Sequence, residues 1–547
     1  MQHLPPNVSS PFSRRIDTAL LAAAERATAI NFAGDDITTR RAAFPPSLRG
    51  IGLRNHQLTA NAAFLGTLNQ AVSRFVDYTD KEGEVFKGFF PSLAPLVGAG
   101  SFDFRSPPGV RFGDFIANES VIALALRDAW DAMRGEIGAV DDQHDAAIFA
   151  NSADGANGTQ RELTRAVELK RFTALGNTIQ ALPFGDQRGL AWASVDGASN
   201  VWVTSCPTGG NRAGPAAFRE IACRYMGAKS PCACALEGQT IWSDSGARGT
   251  CDAFGNELTS RHLAGDGWRT AHDTIKHAIG ATLSSLRLPY TCEVFGLLSS
   301  CIPHGPRHDA LLALQQNRRL GLVPDFRIGD LNGELGNDGG PAVAGTQRLA
   351  ELKRINLCHS RYPPRAVCRG HLVAVNNRAA KIQPEYVKKA RDLDEKYGTT
   401  PVGQPGPCFQ RMRAYGPVLA LVVGHFGEWS PDLHRLVNAM AAVAVPRVGG
   451  LYNSRSAEQA KAAIVWKARR DIAWAGLNAN ATLLLDRAEW VGPSRAAAGR
   501  SQQSSRARVA QQIQAARDAV TGRRAAQRVR QGYQQAARGD NPDCAWC

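Results

Sequence analysis

The main structural signal of this 547-residue chain lies in two apolar segments, LVPDFRI at residues 322–328 and RLAELKRI at residues 348–355. Their length and apolar character predict two strands, separated by a turn region rich in Gly, Asn and Asp. Side chains two residues apart in a strand project from the same face, so Glu351 and Lys353 share one face. We expect Asp325, on the neighbouring strand, to reach that face.

Further elements surround these two strands in a definite order. A helix is predicted over residues 271–286 and a strand over residues 290–298, before the first segment. A helix over residues 383–397 and an apolar strand over residues 418–426 follow the second segment. The block therefore has the order αβββαβ.

The chain as a whole is expected to be an α+β protein of several domains, because its length exceeds what one hydrophobic core usually takes. Hydrophobic residues make up 44% and charged residues 21% of it, which excludes a wholly disordered protein. The expected regions are a helical region at 1–140, a linker and helical connection at 141–230, a Cys/His segment at 231–270, the αβββαβ domain at 271–440, and a helical region with an Arg-rich tail at 441–547.

The charge of the chain points to a polyanionic partner. Its formal net charge of +15 favours nucleic acid first and an anionic membrane surface second. Residues 494–547 contain ten Arg, three Asp and no Lys. This tail is either a solvated, disordered segment or a segment that binds phosphates. In the second case its phosphate-binding residues would include Arg523, Arg524, Arg528 and Arg530.

A membrane location is not expected. No apolar run reaches the roughly 18 residues of a membrane-spanning helix, and the first residues lack the apolar centre of a signal peptide.

The charged side chains of the two central strands suggest a reaction. Two carboxylates, Asp325 and Glu351, would hold Mg²⁺, a hard cation that prefers oxygen ligands and phosphate. A lysine beside them, Lys353, would position or deprotonate a water molecule for metal-assisted phosphodiester hydrolysis. The alternative is a strand-end Asp and an exposed Glu/Lys hairpin face without chemistry.

The residues Pro324-Asp325 and Glu351-Leu352-Lys353 resemble the motif of the PD-(D/E)xK nuclease superfamily. The resemblance implies a restriction-endonuclease-like fold, with Mg²⁺ or Mn²⁺ bound by Asp325 and Glu351 and with Lys353 as the water-activating base. Glu293 lies in the preceding strand, where the superfamily often has another acidic residue of the metal site. In the helix that follows, Lys388 and Lys389 would face DNA.

Cysteine and histidine residues just before this block could bind zinc. The set comprises Cys232, Cys234, Cys251 and His262. Thiolates and imidazole at such spacings can close a tetrahedral Zn²⁺ site. The alternative is a set of reduced cysteines in the protein core. His272, which comes next, could act as a catalytic base, but a His near the start of a helix is more often a cap or a surface residue.

Three further motifs widen the resemblance. RGIGLR at residues 49–54, SCPT at residues 205–208, and CDAFG at residues 251–255 followed by His262 resemble the thumb-like region, the connecting segment and the Cys/His knuckle of non-LTR retrotransposon proteins with a restriction-like endonuclease. The likeness covers most of residues 15–440. It implies a nuclear protein that nicks DNA, with element RNA as a further ligand.

A polymerase site is not expected in this chain. FAGDD at residues 32–36 has one residue more than the acidic palm motif of polymerases, and too few residues precede RGIGLR to form a palm. Asp35 and Asp36 are therefore predicted to be helix-capping or loop acids. A reverse transcriptase would have to come from another chain.

The sequence is consistent with three hypotheses for function. The first is a Mg²⁺-dependent nicking endonuclease, and the second is a remnant that binds nucleic acid without catalysis. The third is a helical interaction protein, in which the acidic pair is coincidental and the basic tail binds a membrane or an acidic partner.

Overall fold

A computed structural model of the protein describes most of the chain. The described residues are 6–76, 128–129, 132–133, 135–136, 159–183, 185–207, 212–242, 248–261, 263, 267–294, 297–298, 301, 323–331, 347–355, 373–396, 400–401, 403–488 and 491.

The described part is a mixed α+β protein that is mostly helical, as predicted. Its elements in chain order are α1 Pro6–Thr28, α2 Asp36–Ala43, α3 His56–Val76, α4 Thr159–Gln180, α5 Gln187–Ala193, α6 Val201–Thr204, α7 Pro215–Met226, α8 Pro231–Cys234, β1 Thr240–Trp242, β2 Arg248–Thr250, α9 Asn256–Ser260, α10 Gly267–Ser285, β3 Tyr290–Cys292, β4 Phe326–Ile328, β5 Arg348–Arg354, α11 Val373–Lys396, α12 Pro407–Ala414, β6 Leu419–Val423, α13 Pro431–Val448 and α14 Ala457–Ala488. Short 3₁₀ helices cover Pro46–Leu48 and Gly449–Tyr452.

The described strands form two sheets. A four-stranded sheet has the order β3-β4-β5-β6, in which the first two pairs are antiparallel and β5 pairs with β6 in parallel. A separate antiparallel hairpin joins β1 and β2. From α10 to β6 the elements follow the order αβββαβ, with the short helix α12 added before β6.

Two element boundaries differ from the prediction for local reasons. The strand predicted over residues 290–298 ends at Cys292, because Glu293 adopts the left-handed conformation with φ +50°. The helix predicted over residues 383–397 begins ten residues earlier, at Val373, and continues through Pro384. Proline in a helix interior removes a backbone hydrogen bond, and α11 nevertheless continues through it.

Both faces of the four-stranded sheet are covered. On β5, Ala350 and Leu352 belong to a core shared with α10, α13 and α14. Leu349 belongs to a second core, which includes apolar residues of α11 and α12. All five residues of β6 are buried, as expected for a strand that is covered on both sides. Glu351 and Lys353 alternate with Ala350 and Leu352, and they therefore lie on the face with α11.

The larger core joins regions that the sequence suggested were separate. It contains Ile30, Val201, Ile279 and Ile472, which come from four of the five expected regions. The Cys/His segment contributes to a smaller cluster, which it shares with Leu484 of α14. In the described part of the chain these regions therefore pack together.

The segment from Asp35 to Arg54 folds as a cap and a tight loop. The Asp35 side chain accepts hydrogen bonds from the backbone N–H groups of Ile37 and Thr38 at the start of α2, which confirms the predicted capping role. In the loop that follows, a Cβ on Gly50 would lie 2.0 Å from the carbonyl oxygen of Phe44. Glycine is required there because the two backbone segments touch.

No helix in the described part of the chain combines the length and the apolar character needed to cross a membrane.

Candidate active site

Three carboxylates occupy one row across the four-stranded sheet. Phe326 of β4 is the register partner of both Cys292 on β3 and Ala350 on β5. One residue further along each antiparallel pair, Glu293 lies opposite Asp325, and Asp325 lies opposite Glu351. The backbone N–H of Glu293 donates a 3.0 Å hydrogen bond to the carbonyl oxygen of Asp325. We call Glu293, Asp325 and Glu351 the carboxylate row.

Asp325 is buried at the start of β4, with only 9% of its surface exposed. Its Oδ2 accepts a 2.9 Å hydrogen bond from the backbone N–H of Leu352. The same oxygen lies 3.4 Å from Nε2 of His272. A buried carboxylate is stable only with such partners, and Asp325 is held in position by them.

Glu351 is buried in the middle of β5, with 7% of its surface exposed. Its Oε2 accepts a 2.6 Å hydrogen bond from the hydroxyl of Tyr386 on α11, and its Oε1 contacts Nζ of Lys353. Burial, followed by the negative charge of Glu351, raises the pKa of Tyr386 far above its usual range. Tyr386 therefore stays a neutral donor that orients this carboxylate.

Lys353 is more exposed than the two carboxylates. Its side chain retains 37% exposure, compared with 10% for the Glu351 side chain that it contacts. A cation at the open edge of two buried acids can reach a substrate or a water molecule from solvent. The sequence predicted that Lys353 and Glu351 share one face of the strand, and the structure has them in contact.

Glu293, the third acid of the carboxylate row, is neutralised by a lysine. Nζ of Lys276, a buried residue of α10, lies 2.8 Å from Oε1 of Glu293 and 3.0 Å from Oδ1 of Asp273. Burial disfavours the charge on Lys276, but the hydrogen bonds to these two acids outweigh it and raise the pKa of Lys276. Glu293 thus lies opposite Asp325, just beyond the end of β3, and its carboxylate engages a lysine.

His272 lies between two acids. Its Nδ1 is 3.2 Å from Oδ1 of Asp273, and its Nε2 is 3.2 Å from the carbonyl oxygen of Leu352 as well as close to Asp325. Burial lowers the pKa of His272, but the hydrogen bonds with Asp273 and Asp325 outweigh burial and raise the pKa to about 9.

The interpretation of His272 as a cap or surface residue was wrong. Helix α10 begins at Gly267, so His272 lies in its second turn, and its ring faces the carboxylate row. Sequence reasoning missed this contact because the start of α10 was placed too late.

The residues predicted to bind DNA are located only in part. Lys388 is exposed and Lys389 is half-buried, both on α11. Tyr386 on the same helix faces the sheet, as do Ile382 and Ala390, which are spaced four residues from it and are also buried. Residues 523, 524, 528 and 530 of the Arg-rich tail lie outside the described residues.

The predicted zinc ligands do not form a recognisable site in the described part of the chain. Cys251 is buried among Ile241 and Leu258 in a small apolar cluster, and burial raises the pKa of its thiol to about 11. Burial also raises the pKa of the thiols of Cys232 and Cys234. His262 lies outside the described residues. Buried, protonated thiols fit the alternative of reduced core cysteines for Cys251, and zinc stays a prediction.

Asp325 and Glu351 are the candidate ligands of the predicted magnesium ion. In the ranges that the structure describes, no group of three or more His, Cys, Asp or Glu side chains is arranged to hold a metal. Mg²⁺ needs fewer protein ligands, because it usually keeps several waters and binds one or two carboxylates. Asp325 and Glu351 are neighbours in register, and Nε2 of His272 lies 3.4 Å from Oδ2 of Asp325 and 3.2 Å from the carbonyl oxygen of Leu352.

Comparisons with protein-family models, curated proteins and solved structures gave no match to this chain. Its function is therefore inferred from the geometry of the site.

Proposed function

We propose that this chain is a Mg²⁺-dependent DNA endonuclease that nicks one strand. The observation that carries the proposal is the alignment of Asp325 with Glu351 on adjacent strands, with Lys353 in contact with Glu351 at a more exposed position. Two carboxylates and a lysine are the groups that metal-assisted phosphodiester hydrolysis requires.

Each residue has a separate task in this proposal. Asp325 and Glu351 would hold the ion, which polarises the phosphate and lowers the pKa of a bound water. Lys353 would place the attacking water and, after releasing its own proton to solvent, would take the proton of that water. Tyr386 would keep Glu351 in one orientation through its 2.6 Å hydrogen bond. Water would add to the phosphorus, the bond from phosphorus to the 3′-oxygen would break, and a proton from solvent water would convert the leaving oxygen to a hydroxyl.

The remaining parts of the chain would bind the substrate. Lys388, Lys389 and the Arg-rich tail would contact the DNA backbone, in line with the net charge of +15. We further propose that the chain is a nuclear retroelement protein, with element RNA as another ligand. The 3′-hydroxyl at the nick would then prime reverse transcription.

The second candidate is a non-catalytic remnant that binds nucleic acid. Its first support is the high positive charge of the chain. Its second support is the ion pair of Lys276 with Glu293, because an acid engaged by a lysine contributes less to a metal site. Phosphate binding predicts a steep loss of affinity with salt under both proposals. Only cleavage separates them.

The test is nicking of supercoiled plasmid by the full chain with Mg²⁺ or Mn²⁺. Asp325→Asn keeps the shape of the side chain and removes its charge, and Asp392→Asn is a matched control at an exposed position of α11. We expect metal-dependent open circles from the wild type and the control, and none from Asp325→Asn. Folded wild-type protein that shifts DNA in a gel without cutting it would favour the remnant.

A further inference from the structure

We propose that His272 is itself a ligand of the metal, together with Asp325 and the backbone carbonyl of Leu352, and that the site therefore selects first-row transition ions over Mg²⁺. The inference rests on the metal site of the proposed function and names the class of ion that it takes. The residues concerned come from α10, the start of β4 and the middle of β5.

The spacing of the three atoms supports a shared ion. Nε2 of His272 lies 3.4 Å from Oδ2 of Asp325 and 3.2 Å from the carbonyl oxygen of Leu352. Adjacent ligands of an octahedral ion with bonds of about 2.1 Å are about 3 Å apart. Nε2 thus lies from each of the two oxygens at almost the separation of neighbouring ligands, and a bound ion would replace the proton that Nε2 donates to them.

The surroundings of His272 are those of a metal-binding histidine. A ligating histidine usually donates its second ring N–H to a carboxylate, which sets the tautomer and the orientation of the ring. Here Nδ1 of His272 lies 3.2 Å from Oδ1 of Asp273. Asp273 is in turn held by Nζ of Lys276 at 3.0 Å, so the orienting carboxylate is itself fixed. This leaves Nε2 directed at the two oxygens.

An imidazole ligand changes which ions bind well. Mg²⁺ prefers an all-oxygen set, whereas imidazole suits transition ions, whose affinity rises along the series from Mn²⁺ to Co²⁺ and Ni²⁺. A site with one nitrogen and several oxygens is therefore expected to bind Co²⁺ much more tightly than Mg²⁺. If His272 were only an ion-pair partner of Asp325, its replacement would not alter that preference.

The experiment measures binding of Co²⁺ and of Mg²⁺ to the full chain by calorimetry, with the visible absorption of bound Co²⁺ as a second readout. The variant is His272→Gln, and the matched control is His277→Gln, an exposed histidine of the same helix. We expect His272→Gln to weaken Co²⁺ binding by at least about tenfold and to change the Co²⁺ spectrum, with Mg²⁺ affinity within about threefold of the wild type. Asp273→Asn should weaken Co²⁺ binding by about ten- to a hundredfold through the orienting contact.

The outcomes are distinct from those of the nuclease test. Equal losses of Co²⁺ and Mg²⁺ affinity in His272→Gln, or no loss of either, overturn the role of His272 as a ligand. Absence of metal binding by the folded wild type overturns both proposals. Selective loss of Co²⁺ binding without any plasmid cleavage by the wild type supports the metal site and rejects the nuclease. Circular dichroism of each variant verifies that it is folded.

Discussion

The hydroxyl of Tyr386 donates a 2.6 Å hydrogen bond to Oε2 of Glu351, and both side chains are buried. One residue lies on helix α11 and the other on strand β5, 35 positions apart in the chain. The contact ties the helix to the sheet at the carboxylate on which the proposed activity depends. It therefore links the stability of the fold to the geometry of the site.

Removal of the Tyr386 hydroxyl should affect stability and activity together. Tyr386→Phe leaves a buried carboxylate oxygen without its donor, which we expect to cost about 1–3 kcal/mol of unfolding free energy. Urea denaturation measures that loss, and plasmid nicking should fall in parallel because Glu351 is less well oriented. The control is Tyr415→Phe, which removes the hydroxyl of another tyrosine that packs against the core shared with α11 and α12. Full activity and stability in Tyr386→Phe would contradict the proposed role.

Replacement of Lys353 should separate activity from stability. Lys353→Gln removes the proposed water-activating group, and general acid–base catalysis contributes about 10²–10⁴-fold to a rate. The side chain is 37% exposed, so its ion pair with Glu351 should contribute at most about 1 kcal/mol to folding. We expect nicking to fall at least about a hundredfold, with the urea midpoint nearly unchanged.

The matched control for Lys353→Gln is Lys467→Gln, which breaks an ion pair between Lys467 and Asp471 on α14. It should keep both activity and stability. A Lys353→Gln protein that still nicks at the wild-type rate would exclude this residue as the base.

Glu428 should make the stability of the protein depend on pH. Burial, together with the nearby charge of Asp196, raises its pKa from 4.5 to about 8. Between these values the folded state holds a proton that the unfolded state has released, so stability is highest at low pH and falls as pH rises towards 8. Glu428→Gln imitates the protonated form and should be more stable than wild type above pH 8, by on the order of a few kcal/mol.

Thermal unfolding of wild type and Glu428→Gln across about pH 5–9, roughly the window set by the two pKa values, provides the measurement. The difference between the two proteins should grow with pH. A constant difference, or a variant that is less stable at every pH, would show that Glu428 is charged in the folded state.

Gly50 should tolerate no side chain. The Cβ of Gly50→Ala would lie 2.0 Å from the carbonyl oxygen of Phe44, and backbone must move to relieve the contact. We expect a loss of at least about 2 kcal/mol in urea denaturation. Gly450→Ala is the control, since a Cβ there meets nothing within 4 Å. Equal stability of the two variants would refute the close approach.

Local features of the fold could be predicted from the sequence. The alternation along residues 348–355 places Glu351 and Lys353 on one face, and the structure has them in contact. The capping role of Asp35 and the order of elements from α10 to β6 were predicted too. These features depend on residues within a few positions of one another, where side-chain direction follows from backbone period.

Long-range features required the tertiary structure. Glu293 and Asp325 are neighbours because of the register between β3 and β4, and His272 reaches Asp325 only because α10 packs beside the sheet. Strand register and helix packing depend on how buried surfaces from distant segments fit together, which periodicity does not encode.

The sequence by itself therefore determined which residues are acids, bases and apolar neighbours in each element, because those patterns are local. The tertiary structure alone decided that Tyr386 orients Glu351, that Lys276 engages Glu293, and that His272 faces Asp325. Each of these pairs joins different elements, and only the burial of both faces of the sheet brings them within hydrogen-bond distance.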